Sequence, residues 1–167
     1  DNRVLRIFKM GNMIEDFVVD LVKKQEPNCE TQVRAEWAEK NLTGYADLVV
    51  NDIIYEIKSC HNQKFKYLDR QNGADRHYQY QIYCYLKALN KKEGRILYIE
   101  KNSMLIREYP IYLDDKKLEQ EVNAELDILN NAWKKGLPPK PITDEKDWRV
   151  KWCSIHKEFC LKQEKYA

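Results

Sequence analysis

The chain of 167 residues is 43% hydrophobic and 34% charged, which suits one domain with its own core. It has no long apolar run and no leader-like start, so we expect a soluble, cytoplasmic protein without a membrane partner. Five cysteines, an odd number, argue against a disulfide framework and favour a reducing compartment. The net charge of +2 does not by itself imply a nucleic-acid partner, and the abrupt start at Asp1 predicts a natural N-terminus further upstream.

The first third of the chain predicts one helix and three strands. Apolar residues at helical spacing, interrupted only by Gly11, predict a helix over 4–24. Branched and aromatic residues then predict three short antiparallel strands, at 31–37, 44–50 and 53–58, the last two joined by a tight turn. The apolar positions of the helix are Ile7, Met10, Ile14, Phe17, Val18, Leu21 and Val22.

The middle of the chain begins with polar and basic residues that predict a loop over 59–74. Helical spacing returns over 78–89, and two further strands are predicted over 95–100 and 105–109. A long amphipathic helix follows and is terminated by Gly136. Its predicted buried stripe consists of Leu118, Val122, Leu126, Leu129 and Trp133.

The order of these elements predicts an α/β fold, in which a mixed sheet is flanked by helices. We expect residues 1–137 to form this core domain. Residues 138–167 are rich in lysine and aromatic side chains, and we expect them to form a C-terminal tail that packs on the core.

Two carboxylates and a lysine are placed together by the predicted hairpin of the second and third strands. Alternation along a strand puts Glu56 and Lys58 on one side and Ile57 on the other, and the partner strand brings Asp47 within reach. Two carboxylates with apolar neighbours repel each other unless a cation neutralises them. Mg or Mn suits oxygen ligands of this kind, whereas the alternative is a surface salt bridge of little consequence.

This pattern resembles the PD-(D/E)xK nuclease superfamily, and most of all its RecB-type exonuclease branch, which includes lambda exonuclease and the CRISPR-associated RecB-like exonucleases. The resemblance implies a restriction-endonuclease-like core and a metal-dependent deoxyribonuclease. The family places an acidic residue or histidine on the preceding helix, where Glu15 shares the core-facing stripe of Gly11. By resemblance, Glu15, Asp47, Glu56 and the Ile57 backbone carbonyl would bind Mg or Mn, and Lys58 would assist the attacking water. A glutamate that bends out to solvent is the alternative for Glu15.

The RecB-type branch also carries Gln-x-x-x-Tyr on the helix after these strands, and Gln81 and Tyr85 match it. Positions four residues apart lie above one another on a helix, and His77 extends the same stripe. By resemblance these residues would contact DNA or hold the catalytic groups, while core packing is the alternative for the other tyrosines. The basic segment before this helix suits phosphate contacts, although a solvated charged loop is its alternative. Its candidate DNA-binding residues are Lys64, Lys66, Arg70 and Arg76, together with His77.

Several RecB-type nucleases hold an iron–sulfur cluster with cysteines of the C-terminal tail. Here Val150 stands where the first tail cysteine is expected, and valine cannot ligate iron, so we expect no such cluster. Cys153, His156 and Cys160 could bind zinc if a fourth ligand arrived from elsewhere, but their spacing is not a standard zinc signature. Inert thiols in a packed tail are the alternative.

The resulting prediction is a DNA exonuclease that acts on single-stranded DNA or duplex ends. The resemblance places it in phage or bacterial recombination, repair or CRISPR adaptation, in a bacterial or phage-infected cell. Three alternatives stay open: a restriction-type or structure-specific endonuclease, a non-catalytic DNA-binding module, and a tail-centred metal or docking domain. A homo-oligomer also stays open.

Overall fold

The computed structural model describes residues 2–71, 73–136, 146–147, 150 and 153. The chain divides into two compact units, Asp1–Ala124 and Glu125–Ala167. Among the described residues, no helix combines the length and apolar character needed to cross a membrane. The elements in chain order are α1 (Asn2–Gln25), β1 (Glu30–Trp37), a 3-10 turn (Ala38–Lys40), β2 (Leu42–Val50), β3 (Ile53–Cys60), α2 (Asn62–Gln71), α3 (Arg76–Leu89), β4 (Glu93–Glu100), β5 (Ile106–Tyr112) and α4 (Lys116–Lys135).

The five strands form one sheet in sequence order, β1-β2-β3-β4-β5. The first three strands pair antiparallel, β3 and β4 pair parallel, and β5 returns antiparallel to β4. The parallel pair needs a crossover connection, which α2 and α3 provide. The predicted α/β class, a mixed sheet flanked by helices, is confirmed.

The predicted loop over 59–74 is wrong, because α2 occupies Asn62–Gln71. Phe65 and Leu68 lie three residues apart and are buried on one side of this helix, while the polar and basic residues cover the rest. Two apolar residues among many charged ones give a weak periodic signal. The helix depends on contacts far away in the chain, such as the Arg107 guanidinium of β5, whose centre lies 3.9 Å from the Phe65 ring centroid.

The core of the first unit has a layer on each face of the sheet. On one face, Ile14 and Val18 of α1 pack with Ile57 of β3 and Ile99 of β4. On the other face, α3 buries Ile82, Tyr83 and Leu86 completely. A methyl group at Gly94 of β4 would stand 2.5 Å from the Ile82 Cγ2 atom, so glycine allows α3 this close approach. Alternate residues of β3 therefore face different helices.

Two predicted apolar stripes are only partly buried. In α1, Ile14 and Val18 are buried, but Ile7, Met10, Phe17 and Leu21 are exposed. In α4, Leu118 and Val122 are buried and Leu126 is half-buried. The prediction that Leu129 and Trp133 are buried is wrong, since their exposed fractions are 54% and 82%. Periodicity identifies the apolar side of a helix, but it does not show how far a neighbouring layer extends along it.

Candidate active site

Asp47 lies where the pairing of β2 with β3 stops. The last backbone-paired residues are Leu48 and Tyr55, and Asp47 comes one residue beyond them. Its carboxylate takes the place of a backbone acceptor, because Asp47 Oδ2 accepts a 2.8 Å hydrogen bond from the Ile57 N–H. The side chain is 9% exposed, so this bond holds a mostly buried carboxylate beside the middle of β3.

Glu56 is the most deeply buried carboxylate of the hairpin, with an exposed fraction of 1%. Its Oε1 atom accepts hydrogen bonds from Lys58 Nζ at 2.5 Å and from Gln81 Nε2 at 2.9 Å. Its Oε2 atom is buried and has no hydrogen bond among the described residues. The same-side arrangement of Glu56 and Lys58 that strand alternation predicts is therefore present. Burying a carboxylate oxygen without a hydrogen-bond donor is unfavourable in free energy, and a positively charged ligand would offset this.

Gln81 and Tyr85 of α3 meet Glu56 as one hydrogen-bonded group. The Gln81 Nε2 atom lies 3.0 Å from the Tyr85 hydroxyl as well as 2.9 Å from Glu56 Oε1. Tyr85 sits against Gly44 of β2, where an added Cβ would lie 2.8 Å from the tyrosine hydroxyl. Gly44 is thus required for Tyr85 to reach this position. The position of Tyr85 therefore depends both on its four-residue spacing from Gln81 on α3 and on the space that Gly44 leaves on β2.

Glu15 reaches the region from α1 and is half-buried, on the core-facing side where the helical stripe predicts it. Its Oε1 atom accepts a 3.0 Å hydrogen bond from Gln32 Nε2 of β1. Glu15, Gln32 and Asp47 line one cavity of about 350 Å³, together with acidic residues of α1. The structure therefore brings Glu15 to the Asp47 side of the site, while Gln81 and Tyr85 approach from the Glu56 side.

Burial dominates the electrostatics of the three carboxyl groups. It raises the pKa of Glu56 to about 7, and the neighbouring Asp47 charge acts in the same direction. Burial also raises the pKa of Asp47, against the hydrogen bond from Ile57, and the pKa of Glu15, where the Asp47 charge adds to it. Burial disfavours the Lys58 ammonium, but the Glu56 carboxylate outweighs that effect and raises the pKa of Lys58. The site carries more negative charge than its one lysine offsets.

The donor set fits a divalent cation by its chemistry. Asp47 and Glu56 repel each other, and Glu56 Oε2 is a buried oxygen that lacks a donor. Hard oxygen atoms of this kind suit Mg or Mn. Within the described part of the chain, no three His, Cys, Asp or Glu side chains are already grouped to hold a metal ion. Lys58 pairs with Glu56 and Gln32 with Glu15, so the acidic groups are held by partners inside the protein.

The predicted DNA-binding residues differ in their surroundings. Lys64 of α2 forms an ion pair with Asp75, and Arg76 of α3 forms one with Glu121 of α4 at 2.6 Å. Both cations therefore join elements of the protein to one another. The remaining three, Lys66, Arg70 and His77, are exposed. They lie on α2 and at the start of α3, the two helices that connect β3 to β4.

The tail prediction falls almost wholly outside the described residues. Val150 and Cys153 are described, and Cys153 is an exposed free thiol. His156, Cys160 and most of the segment 138–167 lie outside them, so the tail and its metal ligands stay a prediction.

Sequence patterns did not single out three residues of this site. The ring centroid of Tyr78 of α3 lies 4.9 Å from Lys58 Nζ, which is a cation–π contact. Gly44 gives Tyr85 its room, and Gln32 binds Glu15. A glycine three residues before Asp47 was visible in the sequence, but its reason lies in a helix some forty residues later. No local signal marks Gln32.

The fold is similar to that of several solved structures, including two exonucleases. The chain resembles a structure of SSO0001 with a TM-score of 0.51 and 22% identity, covering 90% of this chain and 68% of that one. It resembles the alkaline exonuclease LHK-Exo from Laribacter hongkongensis, with a TM-score of 0.54, 14% identity and coverages of 77% and 74%. It also resembles a phage-related exonuclease from Haemophilus somnus 129PT, with a TM-score of 0.53 and 12% identity, covering 77% of this chain and 70% of that one. Neither family models nor curated proteins gave a match.

Proposed function

We propose that this protein is a metal-dependent DNA exonuclease. One observation carries the proposal: the buried Glu56 has an oxygen without a hydrogen bond, next to both Asp47 and Lys58. The trio lies in a sheet whose fold is similar to that of exonuclease structures, which supports a role in binding a divalent ion and a scissile phosphate. At these low identities the likeness concerns the fold, so the activity is inferred from the residues themselves.

Each residue of the site has a distinct proposed role. Asp47, Glu56 and the Ile57 carbonyl hold one or two Mg or Mn ions, and Glu15 adds a carboxylate from α1. A bound ion would supply Lewis-acid chemistry, lowering the pKa of an attacking water and offsetting charge on the phosphate. Lys58, whose Nζ is held by Glu56, orients that water or stabilises the developing charge.

Gln81 and Tyr85 have a positioning role in this proposal. Gln81 bridges Glu56 and Tyr85, so α3 keeps the Glu56 carboxylate in one orientation. Holding a ligand in place before substrate arrives lowers the reorganisation that the reaction requires. The Tyr85 hydroxyl accepts a hydrogen bond from Gln81 and is buried, so its proposed part is to hold Gln81 in place.

The exposed cations of α2 and α3 are proposed to guide the DNA strand. Lys66, Arg70 and His77 offer positive or protonatable groups to backbone phosphates. Lys64 and Arg76, also proposed as contacts, lie in ion pairs that link α2 to the start of α3 and α3 to α4. Phosphate contacts release counterions, so the binding of DNA by this surface weakens as salt increases.

The catalytic role of the site is tested by removing the charge of Asp47 or of Lys58. Asp47→Ala and Lys58→Ala should abolish Mg- or Mn-dependent digestion of linear DNA while circular dichroism shows a folded chain. Lys91→Ala is the matched control, because it also removes a lysine from an ion pair, with Asp52, at an exposed turn. Full digestion by both site variants would overturn the assignment. Retained DNA binding without cleavage by the unaltered protein would favour a non-catalytic binding module.

The exonuclease preference is tested with the shape of the substrate. The Gln-x-x-x-Tyr helix and the exonuclease neighbours favour attack at DNA ends over internal cutting. Linear single-stranded or duplex DNA should be degraded, whereas a closed circle of the same sequence should survive. Prompt cutting of the circle would favour an endonuclease. Label at the 5′ or 3′ end of the linear substrate then gives the polarity.

A further inference from the structure

Gln32 has a backbone conformation that its position in the fold does not explain. Its φ angle is 50°, in the left-handed region that favours glycine. Asn and Asp tolerate this region better than other side chains, and most such residues here are Asn or Asp at turns or helix ends. The non-glycine residues with positive φ in the described part of the chain are Gln32, Asn41, Asn51, Asp52, Asn90 and Met104. Only Gln32 lies within a strand.

The left-handed residue stands opposite Asp47. In the antiparallel ladder of β1 and β2, Gln32 falls between the pairs Thr31–Leu48 and Val33–Ala46. By the register of these two pairs, Gln32 lies opposite Asp47, and the regular pairing of the strands is interrupted at this position. The strand therefore departs from its regular conformation at the one residue that faces a proposed metal ligand.

The side chain of Gln32 contacts α1. Its Nε2 atom donates a 3.0 Å hydrogen bond to Glu15 Oε1, across seventeen positions of the chain. Both residues line the cavity of about 350 Å³ that Asp47 also lines. An amide donor to one carboxylate oxygen restricts the rotation of the carboxylate and favours its charged form.

We infer that Gln32 is a positioning residue that holds the Glu15 carboxylate toward Asp47, so that α1 completes the divalent-cation site. The inference rests on the proposed function and names a residue of that same site. Strained backbone persists where the surroundings over-determine it and is concentrated at functional sites. Residues that orient a metal ligand commonly change metal affinity by about ten- to a hundredfold when they are altered.

Two substitutions separate positioning from a merely structural tie. Gln32→Gly removes the amide and also relieves the backbone, so the melting temperature should equal or exceed that of the unaltered protein. Gln32→Asn keeps a residue suited to the left-handed region and keeps the amide, but its side chain is one methylene shorter, which should withdraw the amide from Glu15. The matched control is Asn51→Gly, which makes the same kind of change at a positive-φ turn residue outside the site.

The first readout is Mn²⁺ binding to the whole chain without DNA, measured by calorimetry. We expect about tenfold weaker binding for Gln32→Gly and Gln32→Asn, and unchanged binding for Asn51→Gly. In a Glu15→Gln background, Gln32→Gly should have no further effect, because the carboxylate that it positions is gone. In cleavage, the metal concentration for half-maximal rate should rise about tenfold while kcat at saturating metal falls less.

Distinct results decide the inference and the proposed function. Mn²⁺ binding by Gln32→Gly as tight as that of the unaltered protein overturns the inference, even if the protein digests DNA. A lower melting temperature of Gln32→Gly with unchanged Mn²⁺ affinity also overturns it, in favour of a structural tie. Weaker Mn²⁺ binding by the variants, in a protein that digests no DNA, supports the inference and overturns the nuclease proposal. Failure of the unaltered protein to bind Mn²⁺ overturns both.

Discussion

Two glutamates of this sheet are equally buried but differently surrounded. Glu56 in β3 and Glu100 at the end of β4 are each 1% exposed, and each has one buried oxygen without a hydrogen bond in the described chain. Glu100 Oε2 accepts bonds from the Asn102 N–H and from both the N–H and hydroxyl of Ser103, within its own turn. Glu56 depends on Lys58 and on Gln81 from a distant helix.

The electrostatic consequences are opposite. The hydrogen bonds from Ser103 lower the pKa of Glu100 below its ordinary value of 4.5. Burial and the Asp47 charge raise the pKa of Glu56 to about 7. Equal burial therefore does not define a role. The donors of Glu100 come from its own turn, whereas Glu56 lies beside a second carboxylate, the setting in which we propose that a cation binds.

The largest expected difference between the two regions is in cleavage. Glu56→Gln should reduce metal-dependent DNA digestion by about a hundredfold or more, because a neutral amide is a poor ligand for a hard cation. Glu100→Gln is the matched control, the same substitution at a side chain of equal exposed fraction, and should stay within about twofold of the unaltered rate. The cleavage rates are measured as initial rates on end-labelled linear DNA. Comparable losses of rate in both variants would contradict a special role for Glu56.

A smaller effect is expected from the glycine behind Tyr85. Gly44→Ala places a methyl group 2.8 Å from the Tyr85 hydroxyl position, so the ring must move and the Gln81 bridge to Glu56 is disturbed. We expect about a tenfold loss of cleavage rate. Gly11→Ala is the control, since its added methyl meets Ser59 Oγ at an ordinary 3.8 Å. Equal rates for the two alanine variants would remove Tyr85 from the Glu56 group.

The coupling of Asp47 to Glu56 is directly measurable. Asp47→Asn removes a like charge, so the pKa of Glu56 should fall from about 7 toward its ordinary value, while the pKa of Glu100 stays low. Carbon-detected NMR titration of the glutamate carboxyl groups, without added metal, follows both residues in one sample. A Glu56 titration that Asp47→Asn leaves unmoved would mean that burial alone shifts it.

The smallest effect concerns stability. Because the folded pKa of Glu100 is lowered, its carboxylate stabilises the fold above pH 4.5, and this stabilisation is lost as the pH falls through the folded value. Glu100→Gln should therefore lower the melting temperature at pH 7. The difference between the two proteins should disappear in acid. A difference that is constant from pH 7 to pH 3 would exclude the charge as its cause.

Much of the fold was predictable from local patterns. The periodicity of branched and aromatic residues located all five strands, and helical spacing located α1, α3 and α4. The helix α2 was missed because its two buried residues, Phe65 and Leu68, are outnumbered by polar ones. How much of a helix is covered was also not predictable, as Trp133 at 82% exposure demonstrates.

For the candidate site, the sequence by itself determined which residue types lie at fixed spacing. Strand alternation placed Glu56 beside Lys58, and the helical repeat placed Gln81 beside Tyr85. Only the tertiary structure decided which donors reach which carboxylate: Gln81 contacts Glu56, and Gln32 contacts Glu15 across the α1–β1 boundary. The physical reason is the distance along the chain over which each effect acts. Periodicity acts within one element, whereas hydrogen bonds and desolvation depend on atoms that folding brings together from distant parts of the chain.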